Sequence, residues 1–592
     1  MLVRILSRVY PRMSETQLSI AITGAGGAGV ISCGELLLQA WAREGGRGLL
    51  RRAYGPQIRG GESAALLKLT ESERYTAARR YDLVVALDWD NFARFEDEIG
   101  LGPASVVVHD LRGEVPASVA NAEATLLPVP LADLAAEAHP EGRVNMLVLG
   151  MLGELLGLSL EVLTELAVHK LAGKAEAYRE AAARCIAFGA EQPLATGVEV
   201  PLRTQEDGWY LTGNQAAGFG ALEAGVRFVA AYPITPASDV LEWMAGGLEK
   251  LGGQLVQAED ELAAINMVIG AAFGGVPAFT ATSGPGLALM TESIGLAVAS
   301  ETPLTILNVQ RGGPSTGIPT KSEQSDLNIA LNGLHGDAPH LVLAPLDIAD
   351  CAFTTGWAVH LAQHLQAPAI VLSDQFIGQS SAVVSRPAQC ETLAATSPGS
   401  DTAQGDNEYL RYRLTESGIS ALAAPGDADR RFTADGLEHN EKGTPSARDS
   451  DHQRQLAKRA NKLSDHDYGE AWAAVSGRGP LALVCFGSAS AACLEAAEHL
   501  REAGRPTRVI SLRLLAPLQV EQLHDAIAGC VGVFIVEQNH SRQLYHYLRG
   551  QCDFGQPVES YAVAGPVPLD PQAIAARVLD QLTAGWVEEL QA

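Results

Sequence analysis

The chain has 592 residues, too many for one hydrophobic core, and 47% of them are hydrophobic, so several full α/β cores are affordable. The formal net charge of −26 repels phosphate backbones and argues against nucleic-acid binding. No apolar run is long and clean enough to span a bilayer, and the eight cysteines include no CxxC pair. That leaves reduced structural thiols in a cytoplasmic protein as the expectation.

In chain order, residues 1–13 ("MLVRILSRVYPRM") read as a basic leader or upstream start. The stretch "QLSIAITGAGGAGVISCGELLLQAWAREGG" then reads as strand, Gly-rich turn and helix. Gly24, Gly26 and Gly29 match GxGxxG in the strand-to-helix context of a dinucleotide fold, with Gly27 inside the turn. The acid expected at the end of the second strand is replaced by Arg51 and Arg52, a pattern suited to the extra ribose phosphate of NADP or coenzyme A. The bland reading is that the glycines only allow close strand–helix packing. A second Gly-rich loop, "YGPQIRGGESAA", carries Arg59. This first domain is assigned to residues 14–195, followed by a linker over 196–210.

A second α/β unit is placed at 211–383. Its strands are "VRFVAA", "GGQLVQ", "PAFTAT", "PLTILNVQ" and "PAIVLSDQ", and its helices include "EDELAAINMVIGAAFGG" and "LALMTESIGLAVAS". The alternation predicts a mostly parallel sheet covered by helices. Residues 384–470 form a polar connecting segment, expected as an ordered loop followed by a helix. A third α/β unit covers 471–592.

Three residue settings point to chemistry. In "FVAAYPITPASDV", Thr235 stands between two prolines at the end of an apolar strand; a helix N-cap with Pro at the first helical position is the plain explanation. Glu261 shares a helical face with Ala264, Ile265 and Val268, which is apolar, while Glu259 and Asp260 are explained as acids at a helix start. Arg311 ends the apolar strand "LTILNVQ", where an arginine is costly unless paired; its fork suits a substrate carboxylate or a structural ion pair.

At these motifs the sequence resembles a known family. "TGAGGAGVISCGELL" with "YGPQIRGGESAALL" is similar to the gamma domain of 2-oxoacid:ferredoxin oxidoreductases. "GNQAAGFGALEAGVRFVAAYPITPASD", "EDELAAINMVIGAAFGG", "TATSGPG", "NVQRGGPSTGIPTKSEQSDL", "FTADGLEHNEKG" and "FIVEQN" are similar to the alpha subunit, nearest its 2-oxoglutarate type. The resemblance covers nearly the whole chain from Met13 in a fused gamma–alpha order.

It implies an α/β fold of three units: a gamma domain, a thiamine pyrimidine-binding-like domain and a transketolase C-terminal-like domain. It also implies thiamine diphosphate shared with a beta subunit that holds the diphosphate, its Mg ion and an iron–sulfur cluster, in an αβ or α2β2 assembly. Ferredoxin, a 2-oxoacid and coenzyme A are the implied partners. By resemblance, Glu261 activates the thiamine aminopyrimidine, Thr235 lies at the substrate end, and Thr320 makes a second substrate contact. Lys321 reads as its companion or as a solvated loop lysine. Gly26, Gly27, Gly29, Arg51 and Arg52 are candidate coenzyme A contacts. The acid is 2-oxoglutarate on this reading, with pyruvate or a branched-chain 2-oxoacid as the alternative. A non-catalytic nucleotide-binding subunit and an NADP-dependent dehydrogenase are the readings from other classes.

Overall fold

The computed structural model describes residues 16–55, 63–73, 75–89, 92–204, 207–388 and 409–586. The opening segment 1–13, Arg59 and Cys390 lie outside the described residues. In chain order the strands are β1 (Leu18–Gly24), β2 (Arg47–Tyr54), β3 (Ser63–Thr70), β4 (Leu83–Ala86), β5 (Val106–Asp110), β6 (Thr125–Val129), β7 (Trp209–Thr212), β8 (Phe228–Ala231), β9 (Gln254–Gln257) and β10 (Ala278–Thr282). They continue as β11 (Leu304–Gln310), β12 (Leu341–Leu343), β13 (Pro368–Asp374), β14 (Ser381–Val384), β15 (Ala473–Ser476), β16 (Leu481–Phe486), β17 (Thr507–Leu512), β18 (Leu514–Ala516), β19 (Gly532–Glu537) and β20 (Val558–Ala562). The chain divides into two compact units, Met1–Tyr210 with Ala382–Ser385, and Leu211–Ser381 with Arg386–Ala592.

The first unit is built on a sheet of order β6-β5-β4-β1-β3-β2-β14-β7. Strand β1 is buried throughout, as a central strand covered on both faces must be. Ile20, Ile22, Leu37 and Trp41 pack with Leu147, Leu149 and Ile186 in one core. Ala21, Leu66, Val84, Tyr81 and Phe95 form a second. The sheet departs from a dinucleotide fold at one point. Strand β3 inserts antiparallel between β1 and β2, pairing Ile20 with Leu67 and Arg51 with Leu66. Strand β14, which the sequence reading left at the end of the second α/β unit, runs in this sheet; Tyr75 donates its hydroxyl to the Val383 carbonyl.

The second unit carries two sheets. One has the order β18-β12-β13-β11-β10-β8-β9, parallel except for β18. The other has the order β15-β17-β16-β19-β20, parallel except for β15. Near-continuous apolar runs such as "LTILNVQ" are what a parallel sheet buried on both faces requires.

The described part of the polar connecting segment after residue 408 leads into the helix Asp449–Ser464. It is anchored by a buried charge cluster. Glu301, fully buried, receives Lys458 at 2.5 and 2.7 Å and Lys462 at 3.0 Å, and Arg411 donates to the Glu301 carbonyl at 2.8 Å. Burial alone would raise the Glu301 carboxyl; Lys462, Lys458 and Arg411 outweigh it and hold the group below its ordinary range.

Candidate active site

Four loops leave the carboxyl ends of parallel strands on one edge of the seven-stranded sheet, the edge where such sheets bind ligands. Glu261 follows β9, Thr235 follows β8, the turn Ser283–Gly286 follows β10, and Arg311 follows β11.

Glu261 is the first residue of the helix Glu261–Phe273 and is buried on the face it shares with Ala264, Ile265 and Val268. Asp260 is the cap of that helix: its Oδ1 accepts from the Ala263 amide at 2.7 Å. The N-terminal acids therefore divide as their surroundings dictate, with Asp260 exposed and capping and Glu261 turned inward. No described residue donates a hydrogen bond to the Glu261 carboxylate. Opposite it stands Gly286, in the first turn of the helix Gly284–Ala299. A Cβ at Gly286 would lie 2.8 Å from Glu261 Oε1 and 2.0 Å from Thr282 Oγ1, so only glycine lets this helix start pack against those two side chains.

Thr235 is not a helix cap. The next helix starts at Ser238, and the turn before it is closed by Ala237 and Ser238 amides donating to the Ile234 carbonyl at 2.8 and 3.0 Å. That leaves Thr235 in a loop, half-buried. Its carbonyl accepts from Arg311 Nη1 at 2.5 Å. Strands β8 and β11 are not neighbours, since β10 runs between them. The arginine therefore reaches across the end of β10. Arg311 is 6% exposed, its Nε has no partner, and burial lowers its pKa against the pull of Asp326.

Thr320 is buried and Lys321 half-buried on the loop that returns to Arg311, where the Gly312 amide donates to the Lys321 carbonyl at 3.0 Å. The loop is pinned further along. Gln324 exchanges backbone and side-chain bonds with Gln538 (2.7 and 3.0 Å) and donates to the Phe486 carbonyl at 2.8 Å. The "VEQN" motif at the end of β19 thus holds the loop that carries Thr320.

Sequence reasoning missed Asn308, Asp326 and Gly286. Asn308 was the available signal, a polar residue inside the apolar run "LTILNVQ"; it is fully buried and donates to Asp326 Oδ2 at 2.8 Å.

In the first unit the Gly-rich turn has Gly27 and Gly29 at φ +88° and +81°, conformations that favour glycine. A Cβ at Gly29 would sit 2.3 Å from Asn145 Nδ2, so this glycine serves close packing. The Ala25 amide is taken by the Asp88 carboxylate at 2.9 and 3.0 Å. A cavity of about 480 Å³ opens beside the turn, lined by Ala28, Leu87, Asp88, Glu141, Arg143 and Tyr178 among others. Arg51 and Arg52, the sequence candidates for a phosphate contact, are engaged within the protein. With β3 inserted, β2 no longer flanks β1, and both arginines have carboxylate partners: Arg51 is buried against Glu98, and Arg52 meets Glu35 at 2.9 Å.

Among the described residues no group of three His, Cys, Asp or Glu is arranged to hold a metal ion, and no helix is long and apolar enough to cross a membrane. The seven described cysteines are free and buried.

Comparison with known proteins decides the family. Residues 219–459 match the profile described as "Pyruvate flavodoxin/ferredoxin oxidoreductase, thiamine diP-bdg", and residues 19–192 match "Pyruvate ferredoxin/flavodoxin oxidoreductase". The 2-oxoacid:ferredoxin oxidoreductase 2, subunit alpha, of Aeropyrum pernix is 30% identical over 631 residues, covering 93% of this chain and 97% of that one. The chain belongs to the 2-oxoacid:ferredoxin oxidoreductase family, alpha-subunit type. The 2-oxoglutarate synthase subunit KorA of Methanothermobacter marburgensis is 34% identical over 58% of this chain and 90% of its own length. The solved 2-oxoglutarate:ferredoxin oxidoreductase from Magnetococcus marinus, with 2-oxoglutarate, coenzyme A and succinyl-CoA bound, covers 96% of this chain and 100% of its own at a TM-score of 0.87 and 34% identity. The thiamine-binding profile of this oxidoreductase family spans Glu261 and Arg311.

Proposed function

We propose that this chain is the gamma–alpha subunit of a 2-oxoglutarate:ferredoxin oxidoreductase. The reaction is 2-oxoglutarate, coenzyme A and oxidised ferredoxin giving succinyl-coenzyme A, carbon dioxide and reduced ferredoxin, or the reverse. The observation that carries this reading is the buried, unbonded Glu261 carboxylate facing Gly286, on the same sheet edge as Arg311. A buried carboxylate to which no described residue donates a hydrogen bond is an acceptor that the aminopyrimidine of thiamine diphosphate would satisfy. When bound, that cofactor supplies the ring carbon that attacks a keto carbon.

The chain's own residues then have distinct tasks. Glu261 holds a proton at the aminopyrimidine ring, and its burial keeps solvent cations away from it. Arg311, fixed by the Thr235 carbonyl, turns its remaining donors to a substrate carboxylate. The Thr235 and Thr320 hydroxyls offer neutral hydrogen bonds, and Lys321 adds charge at the loop. The diphosphate, Mg and the iron–sulfur cluster belong on this reading to a beta subunit, in an αβ or α2β2 assembly. Coenzyme A is assigned to the first unit, at the cavity beside Gly27, with Arg143 as its cation for a phosphate.

Purification with the associated subunit from the native source tests the proposal. The expected result is coenzyme A-dependent reduction of ferredoxin, fastest with 2-oxoglutarate, and a raised KM for coenzyme A in Arg143→Ala. The "pyruvate" in the matching family description favours pyruvate as the second reading. Faster turnover of pyruvate or a branched-chain 2-oxoacid would replace 2-oxoglutarate, and inactivity with every 2-oxoacid would overturn the assignment.

A further inference from the structure

Asp326 occupies the cap position of the helix Leu327–Asn332, yet its side chain makes no cap hydrogen bond. It turns instead to the sheet edge. Its Oδ2 accepts from Asn308 Nδ2 at 2.8 Å, and its own amide donates to Gln310 Oε1 at 3.1 Å. Its carboxylate lies against the start of the helix Gly284–Ala299, where a Cβ at Gly284 would be 2.6 Å from Oδ1.

The charged surroundings are few. Arg311, at the end of the strand whose Asn308 and Gln310 side chains bond Asp326, acts on it without a direct ion pair among the described residues, Glu323 lies on its own loop, and the first turn of Gly284–Ala299 brings no acid. Burial pushes the carboxyl up to about 6, against the opposite pull of Asn308 and Arg311. The other atom of the amide that bonds it, Asn308 Oδ1, is buried without a partner.

We propose that Asp326 is the resident counter-ion of Arg311, and that it takes up one proton from solvent when a 2-oxoacid carboxylate binds that arginine. The inference rests on the reading of Arg311 as the substrate's carboxylate partner. One guanidinium cannot neutralise two carboxylates, and a second negative charge beside the first favours protonating one of them. The substrate acid is the stronger, so the proton goes to Asp326. A carboxylic acid and a primary amide form a two-bond ring, and the unpartnered Asn308 Oδ1 is the acceptor that the new O–H requires. Asp326 acts through Arg311 and is a positioning residue.

The test is calorimetry on the assembled enzyme. The probe is the 2-hydroxy acid of its best substrate, 2-hydroxyglutarate for a 2-oxoglutarate enzyme, which has no keto carbon to attack. Titrations near pH 7 in buffers of different ionisation enthalpy count protons. Wild type is expected to take up a net proton, up to about one per site, and its KM for the 2-oxoacid is expected to rise with pH above about 6, approaching tenfold per unit. Asp326→Asn is expected to abolish the uptake and flatten the KM profile, whereas a merely structural role would shift KM equally at all pH values. Proton-neutral binding in wild type, which needs no variant, overturns the proposal, as does unchanged uptake in Asp326→Asn. Arg311→Lys separates the two levels. If it loses activity while wild-type binding is proton-neutral, the Arg311 reading stands and the Asp326 proposal fails. If it retains full efficiency, both fail.

Discussion

Arg311 Nη1 lies 2.5 Å from the carbonyl oxygen of Thr235, so a side chain at the end of β11 is tied to the backbone of a loop two strands away. The tie fixes the guanidinium plane, and Nε is buried without a partner. Arg311→Lys keeps the charge but loses the fork. Its expected cost is about 1.5–3 kcal/mol in kcat/KM, the scale of a hydrogen bond to a charged group. Thr235→Val leaves the carbonyl in place and removes only a neutral hydroxyl, so about 1 kcal/mol is expected. Steady-state kinetics of both variants, with thiamine binding measured separately, checks the order; a larger effect for Thr235→Val would reverse the assignment of roles.

Glu261→Gln retains the shape of a buried side chain whose neighbours are Ala264, Ile265 and Val268. Folding is therefore expected to survive. An amide does not accept and return the pyrimidine proton as a carboxylate does, so proton exchange at the thiamine C–H should slow by at least about 100-fold, the usual reach of general acid–base catalysis. Hydrogen–deuterium exchange in the assembled complex reads this directly. Exchange at the wild-type rate would remove Glu261 from the activating role.

The alternation of strands and helices made the three parallel-type sheets legible, because a strand buried on both faces must be written as an apolar run such as β11 or β13. What escaped was set by distant pairing. Strand β3 carries the same apolar signal whether it runs parallel or antiparallel, so its insertion between β1 and β2, which moves the strand of Arg51 and Arg52 away from β1, left no local trace. Strand β12 has three residues, too few for a period. Within the site, Glu261 was legible as an acid on an apolar helical face. Asp326 was not, because an acid before a helix has a sufficient local explanation that its side chain does not use.

Glu301 links the helix Asp449–Ser464 to the core through two buried lysines, with side-chain exposures of 2% and 3%. Glu301→Gln leaves both without a counter-charge, and a loss of about 3–5 kcal/mol is expected. The pH dependence follows from the depressed carboxyl. Its stabilisation is complete above the ordinary value of 4.5 and is lost as pH falls below that, through the folded-state value. Urea unfolding of wild type and variant should therefore diverge most at neutral pH and converge as the solution is acidified below pH 4.5. A constant gap across that range would show that the carboxyl does not carry the effect.

Gly286 supplies the most local test of the cofactor site. Its ideal Cβ would fall 2.0 Å from Thr282 Oγ1 and 2.8 Å from both Glu261 Cγ and Oε1, well inside contact distance. Thr282 is a fully buried residue at the end of β10, so its main chain has little room to retreat, and the cheaper response is displacement of Glu261. Gly286→Ala should therefore fold, because one methyl in a helix turn costs little in propensity, while moving the carboxylate out of register with the ring it serves. The expected outcome is a loss of activity comparable to Glu261→Gln, with weaker thiamine binding in addition, since the added methyl also occupies space beside the carboxylate. The control is Gly270→Ala in the helix Glu261–Phe273, where a Cβ meets nothing within 4 Å. That variant is expected to keep wild-type thiamine affinity and turnover. Calorimetric titration of thiamine diphosphate into both variant complexes decides it: equal affinities for the two would mean that Gly286 is a packing residue and that the ring lies elsewhere.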